Sequence, residues 1–181
     1  MNSRLTIVLV LTAVALGVGV FLAPVGEDPE TTFDPLVPVL SFDPEEVVSI
    51  ELENREGGRV LATKSDSKWI VVWPEEFAGD ENRLEPFVSR VGSLMAKEGF
   101  EPEEPLSEFG LDPPVLTIKV GRTDGVRYRL DVGSRTVDRS STYGATYGRT
   151  EVFLLPNLIA DDAMRMITEP PYLTPAATAT P

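Results

Sequence analysis

Carboxylates are the reactive groups this chain supplies in numbers: Asp and Glu total 29 against 16 Lys and Arg, with no His and no Cys. Adjacent acidic pairs stand at Glu45-Glu46, Glu75-Glu76, Glu103-Glu104 and Asp161-Asp162. Hydrolysis by two carboxylates needs them to face each other across a substrate, in environments that push their pKa values apart. Neighbours on turns and at helix starts do not set up that geometry. An acid in a first helical turn is accounted for by the helix dipole. The absence of His and Cys removes the Ser-His-Asp triad, the thiolate nucleophile and His- or Cys-ligated zinc and iron. No stretch carries the alternating acids, Gly and distal Glu of a calcium loop. Neither Gly121 to Gly125 nor Gly144 to Gly148 leads into the helix and Lys of a phosphate loop. The residues therefore point to no catalytic group, no metal ligands and no cofactor, and the expectation is a non-enzyme.

One region runs against the net charge of −13. Between Arg122 and Arg149, six Arg stand against Asp124, Asp131 and Asp138. Arg127 and Arg129 are two apart and share one face of a strand. Lys119 sits opposite them if the chain turns back at Asp124-Gly125, and Arg122 lies beside the turn. A basic patch of Lys119, Arg122, Arg127 and Arg129 can dock an acidic partner segment, an anionic glycan or a lipid head group. The competing reading is pairing with the domain's own acids, worth little per exposed pair. The acidic balance of the whole chain argues against nucleic acid, whose backbone demands Lys and Arg.

The elements that must position these residues follow from hydrophobic period. Val48, Ile50 and Leu52 alternate with polar neighbours, the pattern of a half-buried strand. Turns at Gly57-Gly58 and Ser65-Asp66-Ser67 lead to Val60–Thr63 and Trp69–Trp73, which predicts an antiparallel meander. Asp80 can cap a helix whose stripe is Leu84, Phe87, Val88, Val91, Leu94 and Met95, stopped at Gly99. Pro86 requires that this helix start late, near Glu85, or kink. Leu116–Val120 and Val126–Val132 flank the Asp124-Gly125 hairpin signal. A last hairpin, Tyr143–Tyr147 and Glu151–Leu155, turns at Gly148-Arg149, and Asn157–Ile167 closes as a short helix. The fold class is α+β: an antiparallel sheet of hairpins with one main amphipathic helix and a short C-terminal helix.

Outside this domain, expected over residues 42–168, the composition changes. Arg4 precedes an unbroken apolar run, Leu5 to Ala23, with Pro24 and the acids Glu27, Asp28 and Glu30 behind it. At about 1.5 Å per residue the run matches the bilayer's hydrocarbon thickness, and the flanking charges place the N-terminus inside. Residues 1–25 thus read as a single-pass inner-membrane anchor. A cleaved signal would have a shorter apolar region ending in a small-x-small site, whereas Ala13-Val14-Ala15 lies inside the run. Residues 26–41 read as a Pro-rich acidic linker, reaching roughly 50 Å if extended. Residues 169–181, rich in Pro, Thr and Ala, read as a disordered tail.

The segment Phe109-Gly110-Leu111-Asp112-Pro113-Pro114 has its own logic. Gly110 permits a positive φ, the two prolines stop a helical turn and start the next strand extended, and Phe109 and Leu111 would plug the core. With Phe42-Asp43-Pro44-Glu45-Glu46-Val47-Val48 ahead of it, Trp69 closing a hairpin, the amphipathic helix, and Val152-Phe153-Leu154-Leu155-Pro156 behind, the order of elements resembles the bacterial domain of unknown function 4340 family over about Phe42 to Ile167. That resemblance implies a membrane-anchored protein, often with repeated units and accessory to ABC-type transport systems, and it implies no catalytic residue. This chain has room for one unit. The expected function is a membrane-anchored extracytoplasmic interaction module with a protein partner in the envelope; the alternative is a binding domain for an anionic glycan or lipid head group.

Overall fold

Alternation along the strands decides the architecture, because it gives one sheet a dry face and a charged face. The computed structural model describes residues 35–173. The anchor expected over 1–25 lies outside the described residues, and among those described no helix is long and apolar enough to cross a membrane. The chain runs β1 (Val37–Pro38), a 3-10 turn (Pro44–Glu46), β2 (Val47–Asn54), β3 (Arg59–Ser65), β4 (Lys68–Trp73) and β5 (Phe77–Ala78). Helix α1 (Glu81–Gly92) follows, then β6 (Met95–Ala96) and β7 (Gly99–Phe100). The last elements are β8 (Leu116–Arg122), β9 (Arg127–Arg135), β10 (Thr142–Thr146), β11 (Val152–Leu155) and helix α2 (Asn157–Thr168). A nine-stranded sheet has the order β5-β4-β3-β2-β8-β9-β10-β11-β7, and β1 pairs with β6. All the strand pairs are antiparallel, as the meander reading expected. The α+β class is the one the periods imply.

Register aligns the apolar positions. Ile50 lies opposite Ala62 and Val120, and Leu52 opposite Val60 and Ile118; Ile118 in turn faces Leu130. All are buried, and Leu84, Phe87, Val88 and Val91 of α1 with Ile159, Ala163 and Met166 of α2 cover them. Each of these apart from the alanines contributes about 1.5–3 kcal/mol when removed from water. Trp69 is the largest fully buried side chain, and its indole N–H donates to Glu85 Oε1 at 2.7 Å. Lys64 Nζ meets the same oxygen at 2.8 Å. Burial pushes the Glu85 carboxyl up, but the bonds from Lys64 and Trp69 outweigh it and hold it below its ordinary value.

Helix α1 has the expected Asp80 cap, without the late start near Glu85, and departs from its expected limit at the C-terminal end. It starts at Glu81, where Asp80 accepts from the Asn82 N–H at 3.0 Å, and runs through Pro86. It stops at Gly92, so Leu94 and Met95 do not extend its stripe. The cause is tertiary. Phe42 N–H bonds the Gly92 carbonyl at 3.0 Å, and Val39 N–H bonds that of Leu94 at 2.9 Å. A Cβ on Gly92 would come within 2.9 Å of the Phe42 ring. The chain ahead of β2 takes the carbonyls that another helical turn would use.

That segment also departs from the linker expectation. Val39 and Leu40 are buried in the core, and β1 holds residues just before them. The folded body therefore begins ahead of Phe42. At the other end, Arg83 donates to the carbonyls of Glu169 (2.8 Å) and Pro170 (3.3 Å), while Leu173 N–H bonds Ala78 at 2.8 Å. Residues 169–173 are thereby docked, and the remainder of the expected tail lies outside the described residues. Leu40→Ala should lower unfolding free energy in urea titrations by about 2–4 kcal/mol, whereas Leu36→Ala, at a side chain 56% exposed, should change it by less than about 0.5. Equal effects would return the segment to the linker.

The Glu85 cluster makes a pH prediction. A carboxyl held lower in the folded state contributes stability that is fully present above its unfolded pKa and lost as pH falls through the folded one. Glu85→Gln should therefore be less stable than the parent near neutral pH, and the gap should close below about pH 4. A gap that stays constant down to acid would show that the charge of Glu85 carries nothing.

Candidate functional site

The basic patch is built by the β8–β9 hairpin. Asp124 Oδ1 accepts from the Val126 N–H at 3.0 Å, and Gly125 takes a φ of +83°, which closes the turn where the Asp-Gly signal put it. Lys119 then lies opposite Arg129 and Gly121 opposite Arg127, while Glu51 of β2 faces Lys119 from the other side. These residues occupy the face of the sheet that the helices leave open.

The structure separates the four patch residues. Arg122 is turned away into a cluster with Glu46, Asp124 (3.2 Å) and the Tyr128 hydroxyl (3.3 Å). Its guanidinium is held above its already high ordinary value by the Tyr128 bond first; burial opposes this, and the two acids add to it. Lys119 sits 3.5 Å from both Glu51 and Glu53, and Arg129 bonds both oxygens of Asp131 at 2.9 and 3.0 Å. Intramolecular pairing thus accounts for three of them. Arg127 has no ion pair among the described residues, nor has Arg149, whose guanidinium lies 5.8 Å from the centre of the Phe153 ring.

Lys119, Arg127, Arg129 and Arg149 nevertheless converge on one cleft of about 620 Å³. Its apolar wall is Val39, Leu40 and Tyr128, the last stacked on Phe42 at 4.8 Å between ring centres. Thr146 lines it too, 8% exposed, and its hydroxyl is buried with no hydrogen-bond partner among the described residues. Tyr147, 84% exposed, stands at the lip. Sequence reasoning found Lys119, Arg127 and Arg129 through their spacing on two strands. It missed Arg149 as a member, and it missed Val39 and Leu40, whose signal was an apolar pair inside an otherwise acidic, Pro-rich stretch.

Of the adjacent carboxylates, Asp161 and Asp162 bond to different elements. Asp161 bonds Arg135 and Asp162 bonds Arg90, so these neighbours point to different cations. Among the described residues no three carboxylates gather where a metal ion would sit.

The Phe109–Pro114 box is held from outside. Arg55 reaches across to donate to the carbonyls of Gly110 (3.1 Å), Pro113 and Pro114 (3.3 Å). Gly110 has a φ of +69°, and a Cβ there would fall on the Ser134 hydroxyl, while Ser134 N–H bonds the Phe109 carbonyl at 2.8 Å. Leu111 is buried as expected, but Phe109 is only half-buried. It packs edge-on against Tyr143 (5.0 Å) and Phe100 (5.8 Å) instead of entering the main core. Gly110→Ala should cost more than about 2 kcal/mol by thermal or urea unfolding, since it adds a clash to the unfavourable φ. Gly125→Ala, at a similar φ with open space around it, should cost only about 1 kcal/mol. Equal costs would mean that the contact with Ser134 is not tight.

Comparisons with known proteins bear on the same elements. A family model described as Domain of unknown function (DUF4340) matches residues 69–167, from Trp69 through the Phe109–Pro114 box to the end of α2. No curated protein and no solved structure matched the chain. The matched span covers more than half of the 181 residues, and the chain belongs to the Domain of unknown function (DUF4340) family.

Proposed function

We propose that this protein is a membrane-anchored, extracytoplasmic, non-catalytic interaction module, and that its cleft receives an acidic segment of a protein partner in the envelope. The observation that carries the reading is the convergence of four cations on a concave site in a strongly acidic chain, two of them without an ion pair among the described residues. A cation left unpaired beside a cleft strengthens attraction for an anion and speeds its capture. The apolar run from Leu5 to Ala23 supports anchoring, with the N-terminus inside and the domain outside the cytoplasmic membrane. The family resemblance supports an accessory place beside a transport complex. An anionic glycan or a lipid head group would use the same cations, and these are the alternative occupants.

The test uses the full chain in detergent micelles, titrated with poly-L-glutamate, an anionic glycan such as hyaluronate, and inorganic phosphate. Poly-L-glutamate should bind best, and its binding should weaken as salt rises from about 50 to 300 mM. Arg127→Glu combined with Arg149→Glu should reduce affinity about tenfold or more. Binding insensitive to both salt and the double reversal overturns the cleft as the site. Tighter binding of the glycan overturns the protein partner.

A further inference from the structure

The cleft is a gap in the sheet. β9 begins at Arg127, yet its pairing with β10 runs only as far as Leu130, opposite Thr146. Beyond that, Tyr147 N–H donates to the Arg129 carbonyl at 3.2 Å, and the chain then turns away through Gly148 and Arg149. The backbone groups of successive strand residues point to alternate sides, so the N–H and carbonyl of Arg127 aim the same way as the Arg129 carbonyl. Val126 shows the opposite sense, its carbonyl accepting from Arg122 N–H at 3.0 Å on the β8 side. Arg127 therefore presents its backbone donor and acceptor to a space with no pairing partner among the described residues.

The two faces of this gap differ in chemistry. On the open face lie Arg127, Arg129 and Lys119; on the core face lie Tyr128, Val39 and Leu40. An extended polypeptide entering in line with β10 would present its own side chains alternately to these two faces. The surface it meets reads cation, apolar, cation.

We propose that the gap accepts a short strand from the partner, an acidic–apolar–acidic segment that adds to the edge of β9 beside Arg127–Arg129. This rests on the cleft reading above and gives it a mode of recognition. Main-chain bonds to Arg127 supply affinity, carboxylates on the open face meet the Arg127 side chain, and the central apolar side chain seats on Tyr128, Val39 and Leu40. The orphaned Thr146 hydroxyl gains a partner in the same space. An unpaired edge is also a site of self-association, and cations are one way a protein guards it. Here they repel a second copy of the same edge while attracting an acidic strand. A glycan or a phosphate group has neither the ladder of N–H and carbonyl groups nor the alternation.

The experiment measures fluorescence anisotropy of labelled peptides with the full chain in micelles, together with hydrogen exchange at the Arg127 amide. The probes are acetyl-Glu-Val-Glu-Leu-Glu-amide, a version N-methylated at alternate amides on the side that faces the gap, and the permuted Glu-Glu-Glu-Val-Leu. Inorganic phosphate and hyaluronate are run beside them. The alternating peptide should bind, protect the Arg127 amide from exchange, and lose at least about tenfold affinity on N-methylation or permutation. Arg127→Glu should abolish the preference. Equal affinity of the three peptides, or an Arg127 amide that stays unprotected, overturns strand addition while leaving the anion-binding cleft in place. Phosphate or hyaluronate binding without peptide binding also overturns it. If no anion binds, the proposed function falls with it.

Discussion

The register between β2, β8 and β9 is the constraint on which the rest of this molecule depends. With a side-chain period of two, a slip of one residue exchanges the faces of a strand. In the observed register Ile50, Val120 and Tyr128 form one cross-strand row, and Glu51, Lys119 and Arg129 form the next on the opposite face. A slip would carry charges under the helices, at a desolvation cost no exposed ion pair could offset. The Asp124-Gly125 turn and the buried row set the register together. The charged row on the open face follows from them, and so does the β9 side of the cleft, where Arg127, Tyr128 and Arg129 alternate cation, ring and cation.

Much of this was legible locally. The strands from Val47 to Trp73, the cap at Asp80, the hairpin at Asp124-Gly125 and the closing helix each rest on signals a few residues apart. What was not legible depends on bonds between distant parts of the chain. Nothing near Gly92 says that Phe42 will take its carbonyl, and nothing in Val39-Leu40 says that these two residues will be drawn into a core from a Pro-rich segment. Arg55 looks like a turn residue, and only the fold brings it against Gly110 and the prolines. The site was half legible for the same reason. Spacing found the cations of β8 and β9, whereas the wall and Arg149 arrive from other elements.

The open face is managed as a network. Arg59 and Lys119 share Glu51, and Lys119 also reaches Glu53, so charges of both signs interleave across β3, β2 and β8. Such pairs add little stability individually when solvated. Arg127 has no such pair among the described residues, and it lies where β10 gives out. With neither His nor Cys in the sequence, no side chain has an ordinary pKa between those of the carboxylates and those of Tyr and Lys. The charge pattern of the side chains is therefore constant around neutral pH, and ionic strength is what modulates it.

The segment from Val37 to Phe42 also sets where the domain would yield under tension. Tension on the chain ahead of Val37 falls first on β1 and on the bonds that Val39 and Phe42 make to Leu94 and Gly92. Yielding there would withdraw Val39 and Leu40 from beneath the cleft before it disturbed the large sheet. The same few residues that frame one wall of the cleft are thus the first to respond to load on that end of the chain.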